Sequence, residues 1–331
     1  MDNHILAIDL GGTKIETAVF DGAGSIVGRS RGKTEAHLGS EAVFERIVRI
    51  GTQAIEDAGI DSGSLLAIGV GSPGPLDPDT GYIIETANLD FRNFPLGPRL
   101  AETFGHPAFV ENDVNAGTYG EFRAGAARGA SSVLGVFIGT GIGGGLVLDG
   151  ALYHGFGKNA GEVGHIIVKA GGPRCGCGRR GCLEAMASRT AITRRIKKRV
   201  KRGHKTLITK LLGKRFTEVP SKVLKEAYEA GDRVVMEVVR KAAMYAGLGI
   251  GSLVNVLNPE VIVLGGGVIE ALGTEIIGLI ESSTRETAFE YSFRGVRVVR
   301  ASLGDDAGIT GAAILARERV GSREDVAAIG S

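Results

Sequence analysis

Residues 133–152 read VLGVFIGTGIGGGLVLDGAL. Gly139, Gly141 and Gly144 satisfy the G-x-G-x-x-G spacing of a dinucleotide-binding turn, which requires a strand before it and a helix after it. VLGVFI is strand-like, but LVLD and then ALYHG follow, with Asp149-Gly150 as a hairpin turn between them. The stretch is therefore a three-stranded meander with a glycine-rich first turn, and the dinucleotide reading fails on context. The same layout opens the chain: HILAID, LGGTK, IETAVFD, GAGS, IVGRS, with Asp21-Gly22 at the second turn. Two such units far apart in one chain point to a duplicated lobe rather than a short-period solenoid.

Between the meanders the pattern predicts a helix over 40–58, the strand LLAIGVGSPG, a proline-rich loop over 73–98 and a short helix over 98–104. The strand PAFVEN and a helix from about 114 follow. A long helical region spans roughly 183–250. VIVLGGGV reads as a strand meeting a glycine turn and a helix, VRVVRASL as another strand, and 306–319 as a closing helix. Alternating strands and helices give an α/β class. No linker-like stretch separates the lobes, so they are expected to interweave, with the last helix returning to the first.

Hydrophobic residues make up 43% of the 331, enough for a sizeable core. The formal net charge of +2 gives no case for nucleic acid or an anionic membrane as partner. No run of 18 apolar residues is present. MDNHILAIDL has no basic start and Asp9 interrupts its apolar stretch, so no signal peptide is expected. Three cysteines, an odd number, argue against a disulfide framework and for reducing cytosol.

Those three cysteines fall in GGPRCGCGRRGC, residues 171–182, and His165 precedes them in the pattern H-x9-C-x-C-x4-C. Three sulfurs and one imidazole suit a closed tetrahedral zinc site. The alternatives are a redox pair or unrelated thiols, and Cys-x-Cys is a poor disulfide spacing. Glu162 and Glu184 flank this loop, either held beside it or simply solvated. In VENDVNAG, Asn112 and Asp113 stand between a strand and a helix, where ligands collect in α/β sheets and where Asn and Asp also serve as N-caps. The glycine hairpins, DLGGTK with Asp9, Thr13 and Lys14 and the later GTGIGG, can present backbone N–H groups to phosphate or be plain turns. Residues 194–215 carry eleven Lys or Arg and no acid: a polyanion site, or a solvated helical face with Ile196, Val200, Leu207, Leu211 and Leu212 inward.

Together these motifs resemble the ROK family of sugar kinases, within the actin/hexokinase/Hsp70 ATPase superfamily. GEVGHIIV and CGCGRRGCLEA carry the most specific part, and SPGPLD, ENDVNA, GTGIGGG and NPEVIVLGGG match as well. The resemblance implies a two-lobed α/β fold with duplicated RNase H-like lobes and an active-site cleft between them. Residues 1–115 plus 305–331 would form the small lobe, and 116–304 the large lobe with the zinc loop 165–182.

The resemblance further implies that Asp113 is the general base on the sugar's 6-hydroxyl. Gly74, Asn88, Asn112, Glu162, His165 and Glu184 would hold sugar hydroxyls. His165, Cys175, Cys177 and Cys182 would bind Zn²⁺. Gly11, Gly12, Thr13, Lys14, Gly139, Thr140 and Gly141 would surround the phosphates of ATP, with Asp9 near Mg²⁺ and Gly265 and Gly266 near the nucleoside. NLDFRNF departs from relatives that carry a tryptophan there, which bears on the sugar rim. Glucose is the expected hexose. Mannose, fructose, the N-acetylhexosamines and polyphosphate as donor are alternatives. A sugar-responsive repressor is a remote one, since the first strand begins by residue 4. A homodimer or homotetramer is implied by the family alone, and a cytoplasmic setting is expected from the cysteines and the lack of a signal peptide.

Overall fold

The computed structural model describes residues 4–86 and 89–329. In chain order the first part comprises β1 (His4–Leu10), β2 (Lys14–Phe20), β3 (Ile26–Lys33), α1 (Ser40–Asp57), β4 (Leu65–Ser72), β5 (Leu76–Asp77), β6 (Tyr82–Glu85), β7 (Arg92–Phe94), α2 (Leu96–Phe104), β8 (Ala108–Asn112) and α3 (Asp113–Arg123). Then come β9 (Val133–Ile138), β10 (Ile142–Leu148), β11 (Ala151–Leu152), α4 (Leu183–Ala187), α5 (Arg189–Lys201), α6 (Leu207–Leu212), α7 (Ser221–Glu229) and α8 (Arg233–Leu257). The chain closes with β12 (Val261–Gly265), α9 (Gly267–Thr287), α10 (Glu290–Phe293), β13 (Arg297–Arg300) and α11 (Ala307–Ile329).

Two five-stranded sheets share one plan. The first runs β3-β2-β1-β4-β8, the second β11-β10-β9-β12-β13. In the first, β1/β2 and β2/β3 are antiparallel while β1/β4 and β4/β8 are parallel. In the second, β9/β10 is antiparallel and β9/β12 and β12/β13 are parallel. The duplication read from the two meanders is thus a duplication of whole sheets.

The chain divides into two compact units: Met1–Arg128 with Leu152–Ala160 and Asp305–Ser331, and Gly129–Ala151 with Gly161–Gly304. The expected cut at 115/116 falls inside α3. That helix packs with the first sheet and α11, so 116–128 go with the first unit. Residues 152–160 do as well: the third strand expected at ALYHG stops at Leu152, where the chain leaves the second sheet.

In the first unit, β1 alternates with period two. Leu6, Ile8 and Leu10 join Val43, Phe44, Ile47 and Ile50 of α1 in one core. Ile5 and Ala7 face the other way, onto Ile309, Ala313 and Ala316 of α11. The last helix therefore does return to the first unit. It lies close to α3: a Cβ on Gly311 would stand 1.7 Å from the Ala116 carbonyl oxygen, and one on Gly120 2.5 Å from that of Ala307. Only glycine permits this approach.

The loop expected over 73–98 holds a three-stranded sheet, β5-β6-β7. Its strands span two to four residues, too short to show periodicity. Leu89, Phe91 and Phe94 of NLDFRNF belong to the first unit's core, with Phe91 and Phe94 stacked at 4.4 Å. These rings are buried among themselves rather than offered to a ligand. The helical region at 183–250 is five helices, interrupted at Ser188 and at Gly203, Gly213 and Gly231, three glycines with positive φ. Ile196 and Ile208 point into the core, whereas Leu211 is exposed. Among the described residues no helix is long and apolar enough to cross a membrane.

Candidate active site

In the first unit, the β1–β2 turn is closed by the Gly11 N–H on the Lys14 carbonyl (2.9 Å) and braced by Thr34, whose hydroxyl donates to the Gly11 carbonyl (2.6 Å). Gly12 and Thr13 form its tip. Lys14 donates to Glu16 (2.5 Å), which also accepts from Arg29 (2.9 Å), and Arg29 reaches Asp306 (2.9 Å). That hydrogen bond to Glu16 raises the Lys14 pKa and keeps the ammonium charged.

Parallel pairing of β1, β4 and β8 puts Asp9, Gly71 and Glu111 in register, so Asn112 follows one residue on at the carboxyl end of the sheet, where α/β sheets place ligands. Asn112 Oδ1 accepts from the N–H groups of Val114 and Asn115 (3.0 and 3.1 Å), so it is the N-cap of α3. Asp113 is the first helical residue, and its Oδ1 accepts from the Val114 N–H (2.9 Å). Burial, then the Asp113 charge, push the Asp9 carboxyl up to about 6. Gly74 lies beside this pair: a Cβ there would stand 3.7 Å from Asn112 Nδ2. Asn88 lies outside the described residues.

In the second unit, the turn after β9 is closed by the Gly139 N–H on the Gly141 carbonyl (3.0 Å). The N-terminus of α5 docks on it. The Arg189 N–H donates to the Gly139 carbonyl (2.9 Å), the Arg189 guanidinium to Thr140 Oγ1 (2.7 Å), and Thr190 Oγ1 to the Thr140 carbonyl (2.8 Å). Arg189 and Thr190 were not legible as site residues, because their partners lie about fifty positions away. Gly265 and Gly266 end β12 against Phe137 and Ile138, at the same edge. The GTGIGGG glycines extend into β10 itself, since a Cβ on Gly144 would meet Val163 and the Gly161 carbonyl at under 3.0 Å. A cavity of about 520 Å³ opens beyond Arg189, lined by Thr193, Lys197, Lys198, Lys201 and Glu218. One face of the basic segment thus lines a pocket.

His165, Cys175, Cys177 and Cys182 present four ligand atoms within 4.8 Å of one another. Cys175 Sγ is 3.8 Å from His165 Nδ1, and Cys177 Sγ is 3.6 Å from Cys182 Sγ. Ligands on a tetrahedral zinc ion stand about 3.5–3.8 Å apart, given metal–ligand bonds of about 2.0–2.3 Å. The donor set and its spacing therefore fit such an ion. Burial pushes the Cys175 thiol up to about 12, so as a thiolate it needs a cation beside it.

His165 turns its other nitrogen, Nε2, toward Glu162 Oε2 at 3.9 Å. Glu184 spans the cluster and the glycine turn: Oε1 accepts from Cys175 Sγ (3.4 Å) and Oε2 from the Ile142 N–H (3.2 Å). A Cβ on Gly141 would stand 2.5 Å from Glu184 Oε2. Glu162, His165, Glu184 and Gly141 are thereby gathered within the second unit.

The model of the ROK family matches residues 5–319, and the chain belongs to that family. It is 35% identical to a glucokinase of Halalkalibacterium halodurans over 98% of both chains. It is 35% identical to a ROK hexokinase structure from Thermus thermophilus, covering 96% of this chain and 99% of the other at TM-score 0.79. A ROK glucokinase from Streptomyces griseus, solved with glucose and AMPPNP, is 33% identical over 95% and 99% at TM-score 0.83. The protein is a sugar kinase with the ATPase fold that the two matched sheets define.

Proposed function

We propose that this protein transfers the γ-phosphoryl group of ATP to the 6-hydroxyl of a hexose, with glucose as the preferred acceptor. The supporting observation is near full-length similarity, in sequence and fold, to a glucokinase crystallised with glucose and a nucleotide analogue.

Asp113 takes the proton from the sugar's 6-hydroxyl as its oxygen bonds to the γ-phosphorus and the bond to the β-phosphate oxygen breaks, releasing ADP. Asn112 and Gly74 contact the sugar. Glu162, Glu184 and His165 Nε2 accept from or donate to its remaining hydroxyls, which selects one orientation of the ring. Gly11, Gly12, Thr13, Lys14, Gly139, Thr140 and Gly141 surround the phosphates with backbone N–H groups and one ammonium. The nucleoside lies by Gly265 and Gly266. Asp9 would hold Mg²⁺, which would neutralise charge building on the transferring phosphates. His165, Cys175, Cys177 and Cys182 would hold structural Zn²⁺, and with Nδ1 so held the His165 imidazole would keep Nε2 available to the sugar.

A panel of hexoses and N-acetylhexosamines with coupled ADP detection tests the assignment. Glucose should give the highest kcat/KM. Turnover with no hexose would reject it, and a higher kcat/KM with mannose or an N-acetylated sugar would change the acceptor.

A further inference from the structure

Glu111 immediately precedes the Asn112–Asp113 pair and is only 3% exposed. A buried carboxylate of this kind is costly unless it is fully partnered. Four donors surround it. Its Oε1 accepts from the Asn112 N–H (3.0 Å) and the Asn115 side-chain amide (3.1 Å). Its Oε2 accepts from His154 Nε2 (2.7 Å) and Arg319 (3.3 Å). Burial alone would push this carboxyl up, but the His154 and Asn115 hydrogen bonds and the His154 and Arg319 charges hold it below its usual value.

The two oxygens divide the work. Oε1 grips the first turn of α3, the turn that carries Asn112 and Asp113. Asn115 Oδ1 is buried with no hydrogen-bond partner among the described residues, so the bond to Glu111 is what orients that amide. Oε2 is fixed by groups from distant parts of the chain. Arg319 comes from α11 and also donates to the Pro78 carbonyl (3.0 Å). His154 comes from Leu152–Ala160, the segment that leaves the second sheet to join the first unit. That segment is closed by the Ala160 N–H on the His154 carbonyl (2.9 Å) and anchored by Lys158 on Asp79 (2.6 Å).

We infer that His154 is a positioning residue for phosphoryl transfer, acting through Glu111 to hold the Asn112–Asp113 turn in register for the sugar. It rests on the reading of Asn112 and Asp113 as the sugar-facing pair. Without the His154 donor, Glu111 keeps only Arg319 on Oε2 and is free to swing, taking the Asn112 N–H and the Asn115 amide with it. The sugar side of the site then loosens, while the phosphate turns, built from other segments, keep their shape.

Steady-state kinetics and thermal melts of His154→Leu, His154→Gln and Glu111→Gln test this. A hydrogen bond to a buried charge is worth enough that His154→Leu should lower kcat/KM for glucose about ten-fold or more. KM for ATP should stay within about two-fold, as the phosphate turns are untouched. Glutamine at 154 keeps an N–H donor and should restore most of the activity. Glu111→Gln should reproduce the glucose-specific loss, which keeps the test open if the leucine variant does not fold. Unchanged glucose kinetics in folded His154→Leu would overturn the inference. So would equal losses toward glucose and ATP that follow the melting temperature and are not rescued by glutamine. An active Asp113→Asn enzyme would instead overturn the underlying assignment of the pair, a separable failure.

Discussion

The charge of Asp113 helps to hold the Asp9 carboxyl up at about 6, second only to burial. Both lie at the carboxyl end of the first sheet, Asp9 near the end of β1 and Asp113 just past β8, on the two strands that flank β4. Two carboxylates so placed repel each other until a cation or a proton intervenes.

Burial first, and that repulsion second, predict a cost in stability. Asp9 binds its proton more tightly in the folded chain than in the unfolded one, so its contribution is full below pH 3.8 and is lost as pH rises through about 6. The rise to about 6 corresponds to roughly 3 kcal/mol at most. Asp9→Asn should therefore melt higher than the parent at about pH 8, with the gap closing near pH 4, and should lose kinase activity. Melts at both pH values without added nucleotide or magnesium check this. A variant less stable than the parent at pH 8 would contradict it.

Asp113→Asn should retain sugar binding and lose phosphoryl transfer. The amide keeps the size of the side chain, and Asn112 still caps α3 through Val114 and Asn115. It cannot accept the hydroxyl proton, and loss of a general base costs about 10²- to 10⁴-fold in rate. Calorimetry with glucose and single-turnover kinetics separate the two effects. Turnover near that of the parent would remove Asp113 from the base role.

Much of this site was readable in sequence because its signals are local. Asp149 (φ 51) and Gly150 (φ 78) form a hairpin turn with two left-handed residues, as an Asp-Gly pair there implies. Asn112 caps a helix within three residues of itself. His165 and the cysteines lie within one short stretch. What was not readable is held by distant partners. Arg189 meets Thr140 across 49 positions, and Glu111 meets His154 across 43 and Arg319 across 208. No periodicity or spacing encodes such pairs. The β5-β6-β7 sheet escaped for a different reason, since its longest strand has four residues.

The basic helix α5 has two faces with different consequences. Its N-terminus braces the Thr140 turn, while Lys197, Lys198 and Lys201 line the cavity beyond. Replacing these three lysines with Gln should leave ATP-dependent turnover within about two-fold, because exposed charges contribute little to local stability. Inhibition or phosphoryl donation by inorganic polyphosphate is the discriminating measurement. If polyphosphate is the better donor and the triple variant loses it selectively, the cavity belongs to the donor site.

The four-ligand cluster yields the most direct test. One zinc ion per chain should co-purify, and Cys177→Ser should lose it readily, since three ligands leave a coordination position that water fills weakly. His165 would then lose the anchor on Nδ1 that aims Nε2 toward Glu162, and Glu184 would lose the fixed position of Cys175 beside it. KM for glucose should rise about ten-fold or more, in keeping with the loss of charge-assisted contacts. KM for ATP should change less, because the Gly11–Lys14 turn is braced by Thr34 and needs nothing from the cluster. Metal analysis together with kinetics for both substrates reads every step. Zinc loss with an unchanged glucose KM would make the cluster a remote staple, and a freshly purified active enzyme without zinc would reject the metal assignment outright.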